Sequence, residues 1–573
     1  MATKLPKVPI VIVGLGWMGG VIAAELTKAG HKVVALERGK SRKTEDYFHV
    51  HDELRYSQRY DLMQDLSKET VTFRSNEKVR SLPMRTYGSF LLGDGIGGAG
   101  VHWNGQYHRF LPYDFEIYSK TVERYGKKKI PEGMIIQDWG ITYDELDPYF
   151  TKFEAMAGIS GEQETVEFIG KMSKPFPTPP MKKTPAMKLF EDATKSLGYK
   201  PYVIASANLS ENYTNPDGIS RGACQYCAFC ERFGCEYGSK ADPVVTVLPV
   251  AEKTGKLEVR THANVTRVLH KDGKATGVVY VNTPTGEEFE QPADLVILAS
   301  YVFSNVRLLL MSKLGKPYDP KSGTGVVGRN YAYQIVGGSS TAFFEEKEFN
   351  TFMGAGALGN SIDEFNGDNF DHSSLDFLHG GNIRLTQTGN RPIATNPTPK
   401  GTPSWGKDFK QKSIRYANRT LSVGIQGANM PFRHHYLDLD PVYKDIYGDP
   451  LIRLTYDFED QDKKLVSYIA EKTKAIAEAM KPSFVETGNQ ISKYSIVPYQ
   501  STHNTGGVVM GKDPSTSTVN NYLQMWDADN VFVVGASAFA HNSGYNPTAT
   551  IGALAYRAVE GILKYLEKGG PLA

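Results

Sequence analysis

Three stretches of this 573-residue chain have the residue types and spacing of a chemical site. The first is Arg221 to Pro243, RGACQYCAFCERFGCEYGSKADP, which holds all four cysteines, Cys224, Cys227, Cys230 and Cys235. Thiols this close cannot staple a large fold, because local disulfides close very small loops. Ligation of an inorganic centre is the better reading. The spacing C-x2-C-x2-C-x4-C is close to the ferredoxin run C-x2-C-x2-C-x3-C-P, with one extra residue and no proline after the last cysteine. Zinc prefers two separated pairs, so an iron–sulfur centre is expected first, zinc second, and free or disulfide-bonded cysteines third.

The second stretch is Gly14-Leu15-Gly16-Trp17-Met18-Gly19. Gly14 allows a tight turn, Gly16 lets the backbone approach a pyrophosphate, and Gly19 lets a helix pack closely on a strand. Glu37, about 20 residues on, is placed to accept hydrogen bonds from a ribose. The third stretch starts at Gly93 and reads GDGIGGAGVHWNGQYHRFLPYDF. Each glycine costs a regular helix or strand about 0.5 to 1 kcal/mol relative to alanine, so this is backbone suited to lying against a flat ligand, with His102, Trp103, Asn104 and Arg109 among it.

Elements must hold these residues in place. Pro9 to Val13 is a β-branched run before the first glycine motif, VIAAELTKAG follows it at helical spacing, and His31 to Leu36 is a second apolar run ending on Glu37. The order strand, glycine turn, helix, strand, acid is a dinucleotide-binding βαβ unit. Glu37-Arg38-Gly39 leans toward FAD rather than NAD. The helix N-terminus would face the phosphates with about half a positive charge.

Composition narrows the class. With 65 basic against 63 acidic residues the net charge is +2, which suggests no nucleic-acid partner and no acidic tail. The 56 glycines, 31 prolines and 11% aromatics fit a loop-rich globular enzyme, and the length allows several domains or one large composite enzyme. Val8 to Ala24 is apolar behind Lys4 and Lys7, but its glycines and the absence of a small-residue cleavage site mark it as fold, not signal. No other run approaches the roughly 20 apolar residues of a membrane helix, so membrane association is expected only through partners.

The third stretch carries a family resemblance. GGxGxxxN followed by Arg and Pro resembles the flavin-contacting segment of the glucose-methanol-choline (GMC) oxidoreductases, and later stretches agree in order. Glu258 to Val268 resembles the strand pair that places a valine, here Val265, near the adenine. Ala293 to Ser312 resembles the buried strand and helix after it, with Ser300 where the family usually has Gly. Gly323 to Asn330, His503 to Gly511 and Asn530 to Ala558 complete the pattern. The resemblance implies an α/β (α+β) fold: a Rossmann-like FAD-binding domain of GMC type with a discontinuous substrate-binding domain. Its expected parts are 1–115, 221–335 and 496–573 for FAD binding, 336–495 for the substrate domain, and 116–220 mixed.

The resemblance also implies roles. His503 would be the general base and Asn546 would hold the substrate oxygen. Gly98, Asn104, Gly535 and Ala536 would approach the flavin, and the helix from Thr548 would point its N-terminus at the ring. His102, preceding a tryptophan, is expected to carry FAD covalently. The cysteine run resembles a subgroup, the flavoprotein large subunits of gluconate and fructose dehydrogenase-like membrane-bound heterotrimers. It implies a three-iron cluster, favoured over a four-iron one, on Cys224, Cys230 and Cys235, with Cys227 as the bystander. It further implies a small twin-arginine-exported partner, a multihaem cytochrome c subunit, and a place on the periplasmic face of the bacterial inner membrane, or in the cytoplasm if no such partner exists. The expected reaction is D-gluconate to 2-keto-D-gluconate, with fructose, sorbitol, glucose or 2-ketogluconate as alternatives. A carboxylate substrate calls for a cation, and Arg384, Arg391, Arg415, Arg419 and Arg433 lie in the substrate region. The contrasting class is a flavin and iron–sulfur electron carrier with no alcohol substrate.

Overall fold

The run VPIVIV forms the strand Val8–Val13, with Ile10 to Val13 all buried. A strand apolar on both faces needs cover on both sides, as in parallel α/β sheets. It pairs parallel with Val33–Leu36 on one side and with the second half of Glu288–Leu298 on the other. The structure, a computed structural model, describes residues 2–47, 62–85, 92–164, 166–389, 397–496 and 502–572. Arg391 lies outside them.

This first sheet has eight strands. Leu257–Arg260 flanks Val33–Leu36, and Lys274–Asn282 and Ala263–Lys271 continue antiparallel beyond Glu288–Leu298. Thr3–Lys4 and Val531–Val533 also pair with Glu288–Leu298. Leu298 is the partner of both Val13 and Val533, so three parallel strands from distant parts of the chain end level with one another. In open α/β sheets ligands bind beyond the carboxyl ends of such strands.

The helix Trp17–Lys28 starts at once after the glycine turn and packs against the long C-terminal helix Thr548–Lys568, which also packs on Tyr143–Ala157. Two glycines make this approach possible. Gly14 has φ +94°, and a Cβ on Gly19 would sit 2.0 Å from the carbonyl oxygen of Gly14. The helix Tyr143–Ala157 is opened by a capping box: Glu145 N–H donates to Thr142 Oγ1 and Thr142 N–H to Glu145 Oε2.

The second sheet is antiparallel throughout and has six strands: Phe484–Thr487, Ser340–Phe343, Thr420–Gly427, Gly381–Thr386, Gly359–Ile362 and Tyr202–Val203. The helices Asp460–Ala479 and Pro185–Ser196 pack on it. Side chains alternate with period two along a strand: Ile383, Leu385, Val423 and Ile425 enter the core, and Arg384 and Gln426 point the other way, into a cavity. Among the described residues no helix is long and apolar enough to cross a membrane.

Candidate active site and cysteine centre

A cavity of about 590 Å³ lies between the carboxyl ends of the parallel strands and the polar face of the second sheet. Gly14, Gly16, Glu37, Gly98, His102, Asn104, Val265, Gly535 and Ala536 line it, together with Ser300 and the helix start Pro547-Thr548. Gly19 is not among the lining residues; its place is the tight helix packing described above.

The nucleotide side is built by backbone. Glu37, at the end of its strand, accepts from Leu15 N–H and Gly39 N–H at 3.0 Å each, which ties the glycine turn to the second strand. Burial raises its pKa. At the other end of the cavity wall, His102 closes the short helix Ala99–His102 with both ring nitrogens buried and without a hydrogen-bond partner, as is Trp17 Nε1. Burial, then the charges of Lys240 and Arg232, lowers His102 to a pKa of about 3. Orphaned buried polar atoms are rare in native folds, and here they flank a glycine cradle. The donor set, the glycine backbone and the buried acid fit FAD.

His503 and Asn546 meet at the substrate side, with Asn546 Nδ2 3.0 Å from His503 Nε2. His503 has φ +63°, a left-handed backbone that costs a non-glycine residue of order 1–3 kcal/mol. Asn542 Nδ2 holds this backbone by donating to the His503 carbonyl at 3.1 Å. On its far side the imidazole meets Gln426 Nε2, 2.8 Å from Nδ1, and Gln334 Oε1. Enclosure, with the charge of Arg384 second, lowers His503 to a pKa of about 3, so the ring is neutral near pH 7 and has a proton acceptor to offer.

Arg384 completes this polar wall. Its Nη1 donates to Gln106 Oε1 at 2.6 Å and to Asn546 Oδ1 at 3.1 Å, and its Nη2 donates to Gln426 Oε1 at 2.9 Å. Burial pushes its pKa down to about 10, still charged at neutral pH. Of the substrate-region arginines named from the sequence, Arg415 pairs with Glu345, Arg419 with Glu348, and Arg433 binds the carbonyls of Pro320 and Lys321. Gln106, Gln334 and Gln426 were not anticipated; alternation within SVGIQG marks Gln426 as polar-facing, but not toward what. Arg109 lies away from the cavity, held at both guanidinium edges by Glu154 and Asp147. It joins the third glycine stretch to the helix Tyr143–Ala157.

The four cysteines are free and line one small cavity, Cys230 and Cys235 buried and the other two partly so. Tyr226, Ala228 and Arg232 have positive φ, so the chain winds tightly around the thiols. N–H groups reach the sulfurs: Tyr226 N to Cys224 at 3.4 Å, Asn208 Nδ2 to Cys230 at 3.5 Å, and Lys240 N to Cys235 at 3.5 Å. Burial raises the Cys224 and Cys230 thiols and pushes Cys227 up to about 11.

Among the described residues, two groups bring three possible metal ligands within 4.8 Å of one another, and neither contains a cysteine. A tetrahedral zinc site needs sulfurs about 3.8 Å apart, from Zn–S of about 2.3 Å. In one of the two groups, His379 and His541 both turn Nε2 to Asp114, at 2.8 and 3.0 Å, while each Nδ1 accepts an N–H, from Gly367 and Trp139. No lone pair is left for a metal, and the triad is a buried structural pin.

The cysteine loop touches the flavin side directly. Arg232 N–H donates to the His102 carbonyl at 2.6 Å. Lys240 Nζ donates to the carbonyls of Trp103, Cys230 and Phe233 at 2.6, 2.7 and 2.9 Å. Glu231 and Arg232 line the large cavity while Cys230 and Cys235 line the small one, so a few residues separate the two.

Residues 431–555 match the GMC oxidoreductase family. The chain is 44% identical to the gluconate 2-dehydrogenase flavoprotein of Pantoea cypripedii, over 100% of its own length and 96% of that protein. It is 23% identical to the fructose dehydrogenase large subunit of Gluconobacter japonicus, over 99% of this chain and 100% of that one. Among solved structures, pyridoxine 4-oxidase from Mesorbium loti has the same fold, with a TM-score of 0.60 at 16% identity over 97% of this chain and 99% of the other. With the glycine cradle, the orphaned ring of His102 and the His503–Asn546 pair, these likenesses show that the chain belongs to the GMC oxidoreductases and is an FAD-dependent enzyme that oxidises an alcohol group.

Proposed function

We propose that this chain oxidises the 2-hydroxyl of a sugar acid, D-gluconate in first place, to the 2-keto acid, and hands the electrons to a cytochrome rather than to oxygen. The observation that carries this reading is the neutral imidazole of His503 beside Asn546 and the Arg384 guanidinium, in the wall of the flavin cavity. Oxidation of CH–OH to C=O releases one proton and one hydride. His503 Nε2 takes the hydroxyl proton as general base, while Asn546 holds the oxygen. FAD, when bound, accepts the hydride. The extent of identity to the gluconate 2-dehydrogenase flavoprotein supports the substrate.

In the same reading Cys224, Cys230 and Cys235 hold a three-iron cluster with Cys227 as the bystander, and such a cluster supplies one-electron transfer. The short links from the cysteine loop to His102 and Trp103 favour it as the electron exit. The name "large subunit" of the fructose dehydrogenase relative supports a multi-subunit complex. We assign a small twin-arginine-exported subunit and a multihaem cytochrome c as partners, on the periplasmic face of the inner membrane. The unpartnered ring of His102 favours a covalent histidyl link to FAD.

One purified preparation tests these points. Dye reduction should be fastest with gluconate in a panel with fructose, glucose, sorbitol and 2-ketogluconate, and no reduction by any of them would instead favour a pure electron carrier. A low-temperature EPR signal in the oxidised protein is expected for three irons, whereas a signal only after reduction marks four. Acid denaturation should leave the yellow colour with the precipitated protein. In Cys230→Ala, gluconate should still bleach the flavin while turnover with a one-electron acceptor is lost.

A further inference from the structure

Arg384 has no carboxylate within 4.0 Å among the described residues, although two other enclosed arginines do: Arg109 has Glu154 and Asp147, and Arg307 has Glu69 and Asp445. Its three hydrogen-bond acceptors are neutral amide oxygens, and the acid that acts on it, Glu231, lines the same cavity beyond ion-pair distance. An enclosed charge without a counterion is costly, so the fold retains one here for a partner that arrives from outside. A guanidinium has five N–H donors. Three are used, and the Nε–H and one Nη2–H have no partner among the described residues. Two guanidinium N–H donors can receive a carboxylate as a bidentate pair.

We propose that Arg384 anchors the substrate carboxylate, and that its link to His503 through Asn546 confines oxidation to the hydroxyl on the adjacent carbon. This rests on the sugar-acid reading above and adds which group recognises the acid and why one position reacts. Arg384 Nη1 lies 3.1 Å from Asn546 Oδ1, and Asn546 Nδ2 lies 3.0 Å from His503 Nε2. Nη1 and the base are thus separated by one amide and two hydrogen bonds, at most about 8 Å, and the open Nε and Nη2 donors belong to the same planar group, on its neighbouring edge. A carboxylate oxygen, its neighbouring α-hydroxyl and one hydrogen bond at each end span about the same distance. A hydroxyl one or more carbons further along overshoots the imidazole. The charge balance agrees: Arg384 disfavours protonation of His503, and a bound carboxylate cancels that effect when the imidazole must take up a proton.

The test compares D-gluconate with D-gluconamide, of nearly the same shape but uncharged, in wild type, Arg384→Gln and Arg384→Lys. Wild type should prefer gluconate by about 100-fold in kcat/KM, mainly through KM. In Arg384→Gln the ratio should fall to about one, and Arg384→Lys should restore part of it, since lysine keeps the charge but not the fork. Binding of 2-deoxy-D-gluconate, which lacks the reacting hydroxyl, should perturb the wild-type flavin spectrum and be lost in Arg384→Gln. Equal use of gluconate and gluconamide by wild type, or an unchanged preference in Arg384→Gln, overturns the anchor alone. No acceptor reduction by wild type with either compound overturns the activity on which it rests. Should Arg384→Gln not fold, the wild-type ratio and Arg384→Lys decide.

Discussion

The two walls of the cavity are built on opposite plans. The parallel-sheet wall offers backbone: glycines whose missing side chains let the chain approach a ligand, and an acid, Glu37, bound to two main-chain N–H groups. The antiparallel wall and the loop at His503 offer long side chains, Arg384, Gln426, Gln334 and His503, interlocked by hydrogen bonds. Backbone recognises what every dinucleotide shares, whereas side chains on alternate strand positions can change without moving the strand. In the proposed reading cofactor binding is carried by main-chain geometry, and substrate choice and proton transfer by side chains.

That contrast can be broken. Gly19→Val should have the largest effect, because its first added atom falls 2.0 Å from the Gly14 oxygen, a backbone atom that cannot swing away. Overpacking costs about 1–3 kcal/mol and occasionally more, and the protein should emerge colourless or insoluble; a soluble variant with the wild-type flavin-to-protein absorbance ratio would contradict the backbone account. On the other wall His503→Ala should keep its flavin and lose about 10²- to 10⁴-fold in kcat, measured as dye reduction at saturating substrate. Loss of flavin in that variant would erase the division of labour. The smallest effect concerns pH. As the proposed base His503 would act unprotonated, and its lowered pKa of about 3 would keep it so as the medium is acidified. The kcat/KM profile should stay level from about pH 7 to about pH 5, where a solvated histidine would already fall off. An inflection near pH 6.5 would mean that water reaches the ring.

Legibility followed the same division. The glycine turn, the acid after it and the cysteine spacing could be read from the sequence because their function lies in local backbone geometry or in neighbours along the chain. Gly19 is instructive: the motif revealed its packing role, and only the coordinates separated that role from contact with the cavity. Arg384 was one of five arginines of equal standing in the sequence, and Gln106, Gln334 and Gln426 carried no signal of their own. Arg384 and Asn546 are 162 positions apart, yet they touch.

The sequence by itself determined the βαβ unit, the family and the cluster of thiols, since periodicity, turn chemistry and close spacing act over a few residues. Tertiary structure alone decided that three parallel strands from distant segments end level at one cavity, and that the Arg384 guanidinium stands there with no carboxylate within 4.0 Å among the described residues. It also set the cysteine loop against the carbonyls of His102 and Trp103. Strand register and the face a side chain takes depend on partners hundreds of residues away, and a one-residue slip would reverse every one of them.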